Sequence, residues 1–145
     1  MLVVSKKPII KELTIKKFSA LGKSWGKIVV RHKEMGLYKN VHLVDKLYVL
    51  WNVTGTIIAR EQSATTGVFL WLVAYPIGVL TYKIAVWRKI IGDTILTSWK
   101  TVPNIGNTMV LLNIPLNIKI CLIESYPGSG AIYARSAGAW ATIVA

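Results

Sequence analysis

Residues 67–87, GVFLWLVAYPIGVLTYKIAVW, run for 21 positions with a single charge, Lys83. A stretch so apolar must be covered by a bilayer or by a protein core. By length alone it qualifies as a membrane-spanning helix. Three features favour a pair of strands. Pro76, Ile77 and Gly78 sit at its middle and read as a turn. Val, Ile, Leu and aromatic residues dominate it, which suits strands. After the turn Leu80, Tyr82, Ile84 and Val86 alternate with Thr81, Lys83 and Ala85. A small membrane protein spanning with residues 67–87 stands as the alternative.

The two-residue period recurs at 26–32, 40–45, 55–61, 117–124 and the closing WATIVA. Turn signals separate these segments at Gly36, Gly55, Gly67, Gly92–Asp93, Pro103–Gly106, Pro115, Pro127–Gly130 and Gly138. Short strands spaced by turns every 8–12 residues predict an all-β barrel or sandwich. No long helix, internal repeat or low-complexity segment is apparent.

Charge separates the chain into two parts. Of its 145 residues, 18 are Lys or Arg and 6 are Asp or Glu, giving a formal charge of +12. Residues 1–46 hold eleven of the basic and three of the acidic side chains. Such an excess calls for an acidic partner, either nucleic acid or an anionic membrane surface. Yet 53% of the residues are hydrophobic and the mean hydropathy is +0.49, more apolar than a soluble RNA-binding domain usually is. The opening MLVVSKKPII lacks the order of a signal peptide, since its basic residues follow the apolar start.

Catalysis finds little support. The six carboxylates, Glu12, Glu34, Asp45, Glu61, Asp93 and Glu124, form no evident acid–base pair. His32 and His42 have no Cys or His partners to complete a metal site and are read as meeting RNA or solvent. Cys121, the only cysteine, is expected to be a buried small hydrophobe. The segment PGSGAIYARSAG, residues 127–138, is not a nucleotide-binding loop, because no Gly-Lys-Ser/Thr follows. It offers something else. Gly128 and Gly130 permit positive φ and a close backbone approach. Ser129 and Ser136 supply hydroxyls, and Arg135 supplies a planar fork suited to phosphate. A plain hairpin loop with a solvated arginine is the simpler alternative.

That segment resembles PGKGGQLARSAG, a signature of the universal large-subunit ribosomal protein two family in its bacterial and organellar form. LLNIPLNIKICLIESYPG is similar to the family's RNIPVGTTVHNIELKPG, GKIVVRHKEMG to its GRITVRHRGGG, and IGDTI to its VGDTI. Pro103, Gly106, Asn107 and Thr108 sit near its Pro-Gly-Asn segment. The resemblance runs from about Gly26 to Ala145. It implies an OB-like barrel over residues 26–100 and the first strands of an SH3-like barrel over 101–145, after a basic extended N-terminal arm, 1–25. It implies no enzyme and no small-molecule substrate. It implies a structural constituent of the large ribosomal subunit that binds large-subunit rRNA and neighbouring ribosomal proteins and supports subunit assembly, association and the peptidyl-transferase region. Arg31, His32, Gly128, Ser129, Gly130, Arg135, Ser136 and Gly138 lie on matched motif positions and inherit an RNA-facing role. Lys16, Lys17, Lys23, Lys27, Lys33 and Lys39 join them on local charge alone. No cofactor is implied beyond structural Mg ions of the RNA.

The departures from the family carry expectations of their own. KEMG stands for its Gly-Gly-Gly, Ser129 for the lysine of its loop, and Leu, Trp or Ile for several basic positions. Apolar surface in place of charge points to a ribosome rich in protein, and so to the mitochondrial matrix and a chain encoded in the organelle. The family extends more than a hundred residues further. A split protein is therefore expected, with a second chain carrying the C-terminal half of the same protein. A free-standing single-strand binder of OB type, stacking bases on Trp25, Tyr38 or Trp51, is a further rival.

Overall fold

The computed structural model describes residues 5, 7–17, 22–32 and 39–144. Ten strands and two short 3₁₀ turns, Lys11–Leu13 and Leu111–Asn113, make up its regular structure. The strands are β1 (Thr14–Lys17), β2 (Lys23–Ser24), β3 (Lys27–Ile28), β4 (Lys39–His42) and β5 (Thr54–Gln62). They continue with β6 (Phe69–Ala74), β7 (Leu80–Ile84), β8 (Thr94–Leu96), β9 (Lys119–Ile120) and β10 (Ala141–Thr142). The expected all-β composition holds among the described residues.

The centre is a four-stranded antiparallel sheet in the order β7-β6-β5-β8. Residues 67–87 form its β6–β7 hairpin, with Tyr75 N–H donating to the Val79 carbonyl at 2.9 Å across the Pro76–Gly78 turn. Gly78 takes φ +81° there, a conformation that glycine adopts at no steric cost. This hairpin overturns the alternative of a helical membrane span. Among the described residues no helix is long and apolar enough to cross a membrane.

The apolar run FLWLVA becomes β6 because both of its faces are covered. Trp71 and Val73 join Ile57, Tyr75 and Ile95 in one buried cluster. Leu70 and Leu72 join Tyr82 in another, covered by Ile10, Leu13 and Val44. Burial of a side chain of this size contributes about 1.5–3 kcal/mol. β5 serves both clusters by means of a bulge. Ile57 pairs with Val73 but Ala59 pairs with Leu72, a register shift of one residue. The extra residue re-aims the end of the strand, as bulges do. Glu61 therefore lies on the Tyr82 side.

Gly55 reads in the sequence as a turn signal but lies inside β5. Packing is the reason: a Cβ there would stand 2.5 Å from Val73 Cγ1 and 2.8 Å from Tyr75 Cε1.

The OB-like barrel is not formed. The central sheet is open, with β7 and β8 as its edges. β1–β4, β2–β3 and β9–β10 are separate two-stranded sheets. Among the described residues an isolated bridge, Val44 to Tyr82, joins the end of β4 to β7. The chain then leaves the edge at Asp45, whose carboxylate accepts from the N–H groups of Leu47 and Tyr48 at 3.1 and 2.9 Å in a side-chain-closed turn. The SH3-like expectation for 101–145 is corrected on the same ground. That stretch holds the two-residue strands β9 and β10 and an isolated bridge, Ile123 to Tyr133, in an open arrangement.

Candidate nucleic-acid interface

The cationic and small residues singled out by sequence fall on three separate pieces of the fold. The first is the β1–β4 sheet. It carries Lys16, which is exposed, and sets the backbone position of Lys17 opposite Lys39. The second is the β2–β3 hairpin, where Lys23 and Lys27 are exposed, followed by exposed Arg31 and His32 in a turn with His32 at φ +64°. Lys33 and Tyr38 lie outside the described residues. The third is the 124–138 loop.

That loop is held by its own polar groups. Ser129 Oγ accepts from Ser125 N–H at 3.2 Å and sits 3.3 Å from the Ser125 hydroxyl. Glu124 Oε2 accepts from Gly128 N–H at 3.0 Å. Gly128, Gly130 and Gly138 all take positive φ, +83°, +75° and +80°. The close backbone approach at Gly130 is made to this chain itself. A Cβ there would meet the Lys46 carbonyl at 3.1 Å, and Ala131 N–H donates to that carbonyl at 3.0 Å.

The docking leaves an open concavity of about 520 Å³ between residues 44–47 and 129–135. Lys46 and Arg135, both exposed, line it together with Ser129 and Gly130. Two cations against one carboxylate, Asp45, leave the lining with a positive excess that an anionic group fits. Lys46 was not among the candidates read from sequence. Nothing local marks it, because the contact that brings it to Arg135 joins Lys46 to Ala131, far apart in the sequence. Ser136 is exposed at the far end of the loop, where its carbonyl accepts from Ala139 N–H at 3.0 Å.

Behind this surface lies a charged residue of another kind. Lys83 is buried, 4.0 Å from Asp45 Oδ2 and 4.6 Å from the centre of the Tyr48 ring. Burial lowers its pKa, and the Asp45 charge partly opposes that. Burial likewise holds the Tyr48 hydroxyl well above its ordinary range.

Two expectations are corrected here. His42 meets neither RNA nor solvent. It is buried with its Nε2 3.0 Å from Glu61 Oε2, while Tyr82 donates to Glu61 Oε1 at 2.9 Å and Ile9 N–H donates to the same oxygen at 3.3 Å. The cause is the β5 bulge, which no local pattern announces. Cys121 is exposed rather than buried, because it lies just past the two-residue β9 and no second layer covers it. Among the described residues no cluster of three His, Cys, Asp or Glu is placed to hold a metal ion.

No protein-family model matches the chain. Curated relatives do match. The large ribosomal subunit protein uL2 of Hyphomonas neptunium is 36% identical over 119 residues, covering 82% of this chain and 43% of the relative. The uL2 protein of Karelsulcia muelleri is 33% identical over 143 residues, covering 98% and 53%. That of Flavobacterium johnsoniae is 34% identical over 122 residues, covering 84% and 44%. The chain spans about half the length of the curated relatives it matches.

Proposed function

We propose, from its homology with the uL2 family of large-subunit ribosomal proteins, that this chain is a structural, RNA-binding constituent of a large ribosomal subunit. The observation that carries this is 36% identity over 119 residues to a bacterial uL2. A structural ribosomal role is not that of an enzyme, and the partners are large-subunit rRNA and neighbouring ribosomal proteins. The physical mechanism is charge neutralisation. Lys and Arg displace the counterions of the phosphate backbone, while folded RNA is recognised by shape. Lys16, Lys17, Lys23, Lys27, Arg31, His32, Lys33 and Lys39 form the front of the RNA-facing set. Gly128, Ser129, Gly130, Arg135, Ser136 and Gly138 form its loop, to which the geometry adds Lys46.

Residues 1–25 serve as a basic extension, 26–100 as the body and 101–145 as a second unit. Exposed apolar side chains, among them Trp87, Val102 and Leu112, offer surface to protein neighbours. That surface supports the finer proposal of a protein-rich mitochondrial ribosome in the organelle's matrix. A second chain carrying the C-terminal half of the same protein is the other finer proposal. It draws support from the unpaired outer edges of the β9–β10 sheet, which invite further strands. The mass of the polypeptide recovered from ribosomal particles tests it, and one longer chain as the sole product overturns it.

A sucrose-gradient profile of ribosomes, whole-cell and mitochondrial, probed for this polypeptide, tests the function itself. The chain is expected with the large subunit after a wash in moderate salt, and recovery with lipid instead overturns the proposal. Arg135→Ala is expected to weaken incorporation by about 1–3 kcal/mol, the scale of a lost charge-assisted hydrogen bond. Unchanged incorporation removes Arg135 from the interface.

A further inference from the structure

The β2–β3 hairpin has a two-residue loop, Trp25–Gly26, between Ser24 and Lys27, which pair in register. Both loop residues have positive φ, +51° at Trp25 and +77° at Gly26. That pair of values marks a type I′ turn, whose first central position is ordinarily filled by Asn, Asp or Gly. A tryptophan there is disfavoured by its backbone, because a bulky side chain at positive φ is a conformational outlier. It gains nothing from packing in return, since Trp25 is 101% exposed, the most of any large apolar side chain among the described residues. The hairpin is closed at its base without it, by Val29 and Val30 N–H groups donating to the Gly22 carbonyl at 2.7 and 3.0 Å.

Charge indicates what covers the ring. Lys27 follows the turn directly and Arg31 stands at the hairpin's far end, both exposed. An exposed aromatic at the tip of a hairpin that carries exposed cations suits a base on a charged backbone, and does not suit an apolar protein pocket. We propose that Trp25 is a stacking platform for an unpaired RNA base, with Lys27 on an adjoining phosphate and Arg31 on one further along the strand. The inference rests on the ribosomal reading and adds to it a named contact and a class of ligand, single-stranded or bulged RNA.

The test uses the whole chain, a mixed-sequence RNA dodecamer and an RNA duplex of the same length, over a salt series. Trp25→Asn keeps the turn, because Asn suits the first position of type I′, so thermal stability is expected to be equal or higher. The same variant is expected to bind the single strand about tenfold more weakly, the loss of one stacked base, while duplex binding changes by less than about twofold. Trp25→Phe is expected to recover most of the loss. Lys27→Gln is expected to reduce the salt slope by about one, and Trp25→Asn to leave it unchanged. Wild-type affinity in Trp25→Asn, or an equal loss on both probes, overturns the proposal and leaves the ribosomal reading standing. So does a photocrosslink from residue 25 to a protein rather than to RNA in isolated particles. Failure of the wild-type chain to bind the single strand also overturns the proposal, while the ribosomal reading stands or falls on the gradient.

Discussion

The central sheet and the segment from Trp99 to Val144 are built on opposite terms. Among the described residues, eight of the nine buried apolar side chains lie between Ile57 and Ile95, and the ninth is Ala131. The sheet's strands run to nine residues in β5 and six in β6, whereas β9 and β10 have two each. Beyond Trp99 the path is set by turns, positive-φ residues such as Asn117 and Leu122, and side-chain caps. Its large apolar side chains, Leu112, Val102 and Tyr126 among them, face outward. One region obtains its order from its own core. The other has backbone geometry but few covered side chains.

Leucine truncation breaks or sharpens that contrast most directly. Leu72 is 1% exposed and Leu112 is 90% exposed. Leu72→Ala is expected to cost about 2–5 kcal/mol in urea unfolding of the chain, through lost transfer energy and the cavity left behind. Leu112→Ala is expected to stay within about 0.5 kcal/mol in the same assay and to lower incorporation into ribosomal particles. A large loss from Leu112→Ala in the chain alone means that the C-terminal region has a core of its own.

Glycine replacement gives the next largest effects. Gly55→Ala places a Cβ 2.5 Å from Val73 Cγ1 and is expected to cost about 1–3 kcal/mol through overpacking of the sheet. Gly130→Ala meets two penalties, a φ of +75° and a Lys46 carbonyl 3.1 Å away. Its expected cost is about 1–2 kcal/mol. The two losses differ in kind. Hydrogen exchange should quicken throughout the sheet in Gly55→Ala, but chiefly at Ala131 and its neighbours in Gly130→Ala.

The same contrast governs how much was legible in the sequence. The 67–87 hairpin was, because Pro76 and Gly78 punctuate an alternating run that is buried on both faces of β6. β5 was legible almost to its ends, 55–61 against Thr54–Gln62. Its bulge was not, and with it went the fate of Glu61, His42 and Tyr82, because a register shift is decided by the partner strand. Barrel closure was expected from strand spacing and resemblance, but spacing says nothing about whether β7 and β8 find further partners. In 26–32 and 117–124 the alternation promised whole strands, and the structure holds two residues of each, β3 and β9. In separate two-stranded sheets, alternation alone does not extend pairing. The glycines and Arg135 of the 128–138 loop were visible as a motif. Their neighbour Lys46 was not, because it reaches them only through the Ala131 hydrogen bond.

The smallest of the expected effects lies in the titration of the sheet and the turn beneath it. Burial raises the pKa values of Tyr48, Tyr75 and Tyr82 above the ordinary 10.0, and the hydrogen bond to Glu61 adds to the rise at Tyr82. A raised folded-state pKa means that the folded chain keeps a proton which the unfolded chain loses. That stability is fully present below pH 10 and is lost as pH climbs through the folded values. Lys83 has the opposite sign. Its folded pKa lies below 10.5, so in the window up to that value the unfolded chain binds more protons and stability rises with pH. With three groups against one, stability is expected to fall beyond pH 10. Each titrating proton contributes a slope of about 1.4 kcal/mol per pH unit. Tyr82→Phe is expected to make the fall shallower by up to one proton, and Lys83→Met to remove the rise that precedes it, both measured by denaturant titration between pH 9 and 11. An unchanged slope in Tyr82→Phe would mean that the Tyr82–Glu61 pair opens before the sheet does, and that the buried network is no part of the region's cooperative core.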